Sequence, residues 1–216
     1  MASKPQTADV PTLSIPEIRD YQRINAELTG LLDLGHRHVR LAGAEGQRLL
    51  VSGLTGPWDA TVEVVGRIGP ELALGLNAPN LIVVARGRAA DGAGSRLRAG
   101  LLTILGHSGP AVGYAMSGGA VVAADDVGPR AGLNQSGGDL ILLRRAGPLA
   151  GERQSGGRLF VVPSLLGPHA GRGRLGGEML DMNEPGSAFV ETLERVKGWM
   201  GFALDPSEAG PQSERP

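Results

Sequence analysis

Nearly the same five letters occur four times in this chain: GPAVG at Gly109 to Gly113, GPRAG at Gly128 to Gly132, GPLAG at Gly147 to Gly151 and GPHAG at Gly167 to Gly171. Their first glycines lie 19, 19 and 20 residues apart. A fixed spacing of that size marks stacked supersecondary units rather than unrelated loops. Extending the register outward finds short apolar runs beginning at Thr61, Leu81, Leu101, Ala120, Asp139, Arg158 and, more weakly, Glu178. Their starts are again 19 or 20 residues apart. Each run is rich in β-branched and aliphatic residues and bounded by Gly or Pro, the pattern of a short strand.

Between strands the chain turns at least twice, once at the G-P-x-A/V-G corner and once at a second glycine cluster such as YAMSGG (Tyr114 to Gly119) or LNQSGG (Leu133 to Gly138). A crossover helix does not fit, because a βαβ unit needs roughly 30 residues or more. What fits is a coil of strand and bends, repeated. The expected fold is all-β: a single right-handed parallel β-helix of about seven coils spanning residues 37–182. A left-handed hexapeptide solenoid would need an 18-residue coil with a six-residue rhythm, and none occurs.

The corner glycines expected to shape the bends are Gly66, Gly69, Gly106, Gly109, Gly113, Gly128, Gly132, Gly147, Gly151, Gly167 and Gly171. Proline at the second corner position holds φ near −65°, and glycine supplies backbone angles closed to other residues. In register, Ser117, Ser136 and Ser155 should form one column and Met116, Gln135 and Gln154 the next.

Solenoid ends expose open strands and need covers. Residues 14–36 carry Ile18, Tyr21, Ile24, Leu28 and Leu31 at helical spacing, and residues 187–203 carry Phe189, Val190, Leu193, Val196 and Met200. Both are expected to be capping helices, with residues 1–13 and 204–216 as tails.

Composition narrows the function classes. A formal net charge of −1 gives no basic excess to hold nucleic acid or an anionic membrane. The chain has no Cys, which excludes thiolate-held zinc, iron–sulfur ligation and disulfides within it. The N-terminus has no signal-like apolar core and no run of 18 apolar residues occurs, so a cytoplasmic location is expected.

Individual motifs resolve mainly against chemistry. Gly171, Gly173 and Gly176 spell G-x-G-x-x-G with Glu191 20 residues beyond Gly171, yet a dinucleotide site requires a helix after that turn, and EMLDM follows instead. His36 and His38 share a face if extended, without an evident third ligand. His107 and Ser108 are neighbours on a bend and lack a nucleophile elbow. Arg130, Arg153, Arg172 and Arg174, with Arg144, Arg145 and Arg158, crowd the later coils; they suit either an anion- or subunit-facing stripe or a solvated face. No catalytic, cofactor-binding or metal-ligating set emerges, and the residues read as a scaffold.

The spacing G-x-x-G-x-x-x-G, complete at Gly106, Gly109 and Gly113, resembles the coils of the GXGXG domain at the C-terminus of the glutamate synthase large subunit. It is also similar to stand-alone GXGXG subunits of archaeal-type glutamate synthase and N-methylglutamate synthase, and to the GXGXG-containing component of formylmethanofuran dehydrogenase. Arg23 to Leu54 resembles the leader of the glutamate-synthase-type subunits, as does the NAPNLIVV coil at Asn77 to Val84. The resemblance covers roughly residues 18 to 180. It implies a β-helical subunit without catalytic residues or cofactors of its own. Its implied partners are a glutaminase-type amidotransferase and a synthase carrying FMN and iron–sulfur clusters. The first glycine of the triplet is present at Gly66 and Gly106 but replaced by Asp125, Arg144 and Ser164 in later coils, and Ala73 stands where a third glycine is expected.

Overall fold

A computed structural model describes residues 10–183 together with Glu191 and Glu194. Nine parallel strands form one sheet in strict sequence order: β1 (Thr12–Ser14), β2 (His38–Glu45), β3 (Ala60–Arg67), β4 (Asn77–Ala85), β5 (Ala99–Ile104), β6 (Ser117–Ala123), β7 (Ser136–Leu142), β8 (Gly156–Val161) and β9 (Glu178–Asp181). The chain is thus a parallel β-solenoid of about seven turns, all-β apart from short helices. The seven expected strands are β3 to β9. The periodicity did not reveal β1 and β2, because paired residues of β1 and β2 lie 28 positions apart (Thr12 and Arg40) and those of β2 and β3 lie 23 apart (His38 and Thr61), outside the period of 19 or 20.

Each coil closes through two further backbone ladders. Single parallel bridges link Ile68, Ala89, Ser108, Val127, Ala146 and Leu166 in turn. At the G-P corner the prolyl N–H is missing, but the prolyl carbonyl is used: Ala111 N–H donates to Pro129 O at 2.8 Å, Arg130 N–H to Pro148 O at 2.8 Å and Leu149 N–H to Pro168 O at 3.0 Å. Strand and bend alike are therefore hydrogen-bonded from coil to coil, which satisfies backbone groups that a corner would otherwise strand.

The interior is filled by stacked rows. Val62, Val83, Leu102, Val121, Leu140 and Leu159 point in from the sheet, and Leu72, Ala93, Val112, Ala131 and Ala150 point in from the corner, all 0–1% exposed. The fourth letter of the corner motif is apolar because it packs into the interior, which is filled as closely as other protein cores.

The N-terminal cover differs from one helix over 14–36. It is two: α1 (Ile15–Ile18) and α2 (Tyr21–Asp33), broken where Arg19 takes φ 62° and Asp20 caps α2 by accepting from Gln22 N–H at 3.0 Å. Ile24, Leu28 and Leu32 of α2 join the main core. Buried Asn25 ties α2 to the first coil: it donates to Leu49 O at 2.9 Å and accepts from Val51 N–H at 2.8 Å. Thr12 and Leu13, expected in a tail, belong to β1, which pairs with Arg40 and Leu41 of β2. Residues 1–9 and 204–216 of the two tails, and most of the helix expected over 187–203, lie outside the described residues; Glu191 and Glu194 of that segment are helical. Among the described residues no helix is long and apolar enough to cross a membrane.

Candidate functional site

The corner glycines divide into two physical classes. Gly128, Gly147 and Gly167 open their corners against the backbone of the preceding coil, where an added Cβ would stand 2.7 Å from a neighbouring main-chain atom. Gly113, Gly132, Gly151 and Gly171 close the corners at φ between 67° and 72°, and donate N–H bonds of 2.7–2.8 Å to Ala93, Val112, Ala131 and Ala150 carbonyls. Gly66 and Gly106 belong to another column, whose middle member, Gly87, carries no motif in the sequence. A Cβ on Gly87 would overlap the Gly66 carbonyl oxygen, the tightest approach of the three. Its coil lacks the G-P corner that marks the others.

The variable residue after proline also takes left-handed angles although it is not glycine: φ is 60° at Ala111, 63° at Arg130, 67° at Leu149 and 63° at His169. Such a conformation costs a side-chain-bearing residue of order 1 kcal/mol or more, and the corner ladder holds it there. These side chains point away from the core, with Arg130 and His169 exposed.

The four arginines offered as a partner face meet partly. Arg130 pairs with Glu152 at 3.3 Å, and Arg153 N–H donates to Arg172 O at 2.9 Å, so these residues share the surface after the G-P corner. Arg153, Arg172 and Arg174 are exposed. Arg158 is not part of that surface. It leaves the sheet and clamps Asp139 with both ends of its guanidinium, at 2.7 and 2.9 Å. Its hydrogen bond to Asp139 raises the Arg158 pKa above the ordinary arginine value.

A second cluster lies on the outside of the sheet, at the other end. Glu63 in β3 is 3% exposed. Arg86 reaches its Oε1 at 2.7 and 3.0 Å, and Arg40 its Oε2 at 3.0 and 3.1 Å. His38 Nε2 is 3.6 Å from Oε1. Burial pushes the Glu63 carboxyl up, but the hydrogen bonds from Arg86 and Arg40, with the charges of Arg86 and His38, outweigh it and hold the group below the usual carboxylate range. A carboxylate gripped by two guanidiniums is held ionised and resists protonation, so the cluster does not suit a general base. Glu63 belongs to no motif; its one signal in the sequence is a carboxylate in the middle of the apolar run TVEVV.

The glutamine column is interior. Gln135 and Gln154 are fully buried beside Met116. Gln135 Nε2 donates to Gly138 O at 3.0 Å and Arg158 O at 3.2 Å, and Gln154 Nε2 to Gly157 O at 3.3 Å. A Cβ on Gly157 would meet Gln135 Nε2 at 2.8 Å, and one on Gly177 would meet Gln154 Nε2 at 2.8 Å. The second glycine of each S-G-G therefore makes room for an amide from the coil before. The serine column slips by one: Ser117 pairs with Gly137 and Ser136 with Gly156, because a register shift precedes Ala120 and Asp139. The Ser136 hydroxyl donates to Met116 O at 3.4 Å, a link between coils rather than a surface ladder.

The remaining motifs resolve plainly. The G-x-G-x-x-G at Gly171 to Gly176 leads into strand β9, not a helix. His107 is exposed while Ser108 is fully buried with its Oγ unpartnered among the described residues, so the two do not form a base and nucleophile. His38 lies against Glu63, whereas His36 is exposed before β2. Comparison with protein-family models, curated proteins and solved structures finds no match.

Proposed function

We propose that this chain is a non-catalytic β-helical subunit that holds partner proteins in register, within an assembly of the glutamate synthase type. The observation that carries this reading is the use made of the glycine spacing. Gly106, Gly109 and Gly113, the triplet on which the resemblance to GXGXG domains rests, fall in columns of close approach or left-handed backbone that lock one coil to the next. The buried polar side chains support the same reading, since Gln135, Gln154, Asn25 and Glu63 each hold one coil or cap to another. Groups committed to such bonds are not available to a substrate.

On this reading the partners are a glutaminase-type amidotransferase and an FMN- and iron–sulfur-containing synthase, which supply the cofactors. The exposed corner residues Arg130, Arg153, Arg172 and Arg174 are the surface assigned to them. Co-expression with amidotransferase and synthase subunits of that type, followed by size-exclusion chromatography, tests it. Co-elution with at least one partner, weakened when Arg153 and Arg172 are both changed to Glu, is the expected result. A chain that elutes alone as a monomer beside both partners would overturn it.

A further inference from the structure

A cleft of about 570 Å³ opens between α2 and the first coil, at the capped end of the solenoid. Its size is that of a small-molecule site. Two glycines keep it open. Gly30 lies near the end of α2, where glycine is a poor helix former, yet nothing stands within 4 Å of a Cβ added there. Gly53 lines the cleft from the coil at φ 69°, again with open space beside it. Its left-handed angle does not demand glycine. The same ladder position in later coils holds Arg96, Ala115, Asn134 and Arg153 at φ 52–56°, whereas the two coils at the α2 end carry Gly53 and Gly75. At Gly30 and Gly53 the missing side chain therefore serves the space, not the backbone.

We propose that this cleft binds a neutral pyranose sugar, stacked on the Trp58 indole with its hydroxyls turned to Asp33, Thr29 and Ser52. The indole forms one wall and is held in place twice: its Nε1–H donates to Asp33 Oδ1 at 2.8 Å, and it rests on bare backbone at Gly56, where a Cβ would stand 2.6 Å from the ring. The polar groups around it are oriented as well. Buried Asn25 donates to Ser52 Oγ at 3.1 Å, which leaves the serine proton to donate into the cleft. The Thr29 hydroxyl donates to Asn25 O at 2.8 Å, which leaves its oxygen as an acceptor. Exposed Asp33 keeps its second carboxylate oxygen beside them. A pyranose pairs an apolar C–H face with a rim of hydroxyls that both donate and accept, and an indole with polar groups at its edge is the complement of that shape. Among the described residues Asp33 is the one charged group lining the cleft, so a phosphate or carboxylate ligand would find no cation to pair with. An organic cation bound to Asp33 would sit at the edge of the indole, away from the negative ring face that attracts cations.

Saturation-transfer NMR on the full chain tests this, with glucose, galactose, mannose and xylose as probes, each also as its methyl glycoside. The free sugars stand for a metabolite and the glycosides for a residue linked in a glycan; ring-proton saturation in either set is the expected result. Gly30→Leu should fill the cleft and abolish the signal. Its thermal midpoint should be no lower than that of the parent chain, because leucine is the better helix former and its Cβ meets nothing. Asp33→Asn, at an exposed residue, keeps an acceptor for Trp58 and should weaken the affinity about tenfold, the difference between a charged and a neutral hydrogen bond. No saturation with any of these sugars, a signal that survives Gly30→Leu, or binding of adenosine or choline in their place would each overturn the proposal.

Discussion

Two ends of the same sheet face are held in opposite ways. Over β2 to β4 the outside is chiefly ionic, with Glu63 gripped between Arg40 and Arg86; over β5 to β8 it is chiefly apolar, with Leu101, Val122, Ile141 and Phe160 withdrawn from water and the Asp139–Arg158 ion pair beside them. Inside, both ends have the same aliphatic rows. The difference teaches that the repeat dictates the interior and the corners, while the outer face is free to follow what covers it. Buried ion pairs gain little over apolar packing of similar volume, yet breaking one leaves a stranded charge. Apolar burial scales with area and has no pH dependence near neutrality.

The largest effect should ignore that division. Gly87→Ala drives a Cβ into the Gly66 carbonyl oxygen of the preceding coil; it should cost about 3 kcal/mol or more and lower the thermal midpoint sharply. Gly147→Ala in the apolar half, where the approach is 2.7 Å, should behave similarly. A tolerated Gly87→Ala would show that the ionic half is looser than its partner.

Phe160→Ala should follow, costing about 3 kcal/mol through lost burial and the cavity left behind, with no change in the cost between pH 4 and 7. Chemical denaturation at those two pH values checks it.

Glu63→Gln removes the charge that Arg40 and Arg86 share and should cost about 2 kcal/mol at neutral pH. The sign of its pH dependence is set by the lowered carboxyl. Its contribution is full above the ordinary value of 4.5 and is lost as the pH falls through the lower folded value. Wild type and variant should therefore converge in acid, in contrast to the Phe160 pair. Parallel stability curves down to pH 3 would rule out this role for Glu63.

The smallest effect lies where the two halves meet. Thr103 is 2% exposed and its Oγ1 has no hydrogen-bond partner among the described residues. Thr103→Val keeps the shape and removes the stranded hydroxyl, so stability should rise by up to about 1 kcal/mol. A loss instead would show that the hydroxyl has a hydrogen-bond partner after all.

Much of the fold is legible in the letters because its demands are on the backbone. Only glycine accepts both a 2.7 Å approach and an unstrained left-handed angle, so Gly128, Gly132, Gly147 and Gly151 announce the corners. Gly87 escaped because its coil lacks the accompanying proline, and β2 escaped because it lies 23 residues ahead of its partner positions in β3, off the period of 19 or 20. Asp139, Arg158 and Glu178 begin three successive apolar runs and face one another in register on β7, β8 and β9, a ladder of alternating charge visible once the coils are aligned. Glu63 was harder to see. Its partners Arg40 and Arg86 each lie 23 residues away, and one of them sits on a strand that no repeat marks.

By itself, the sequence determined the length of a coil, the place of its corners and the small residues inside them. Those choices are local, and steric exclusion decides them one residue at a time. Only the tertiary structure decided that the serines slip out of column, that the residues after proline are forced left-handed, and that the outer row from Val84 to Phe160 is dry. A strand apolar on both faces carries no alternation to say which side meets water. That is settled by what packs over it, and packing is a property of the whole chain.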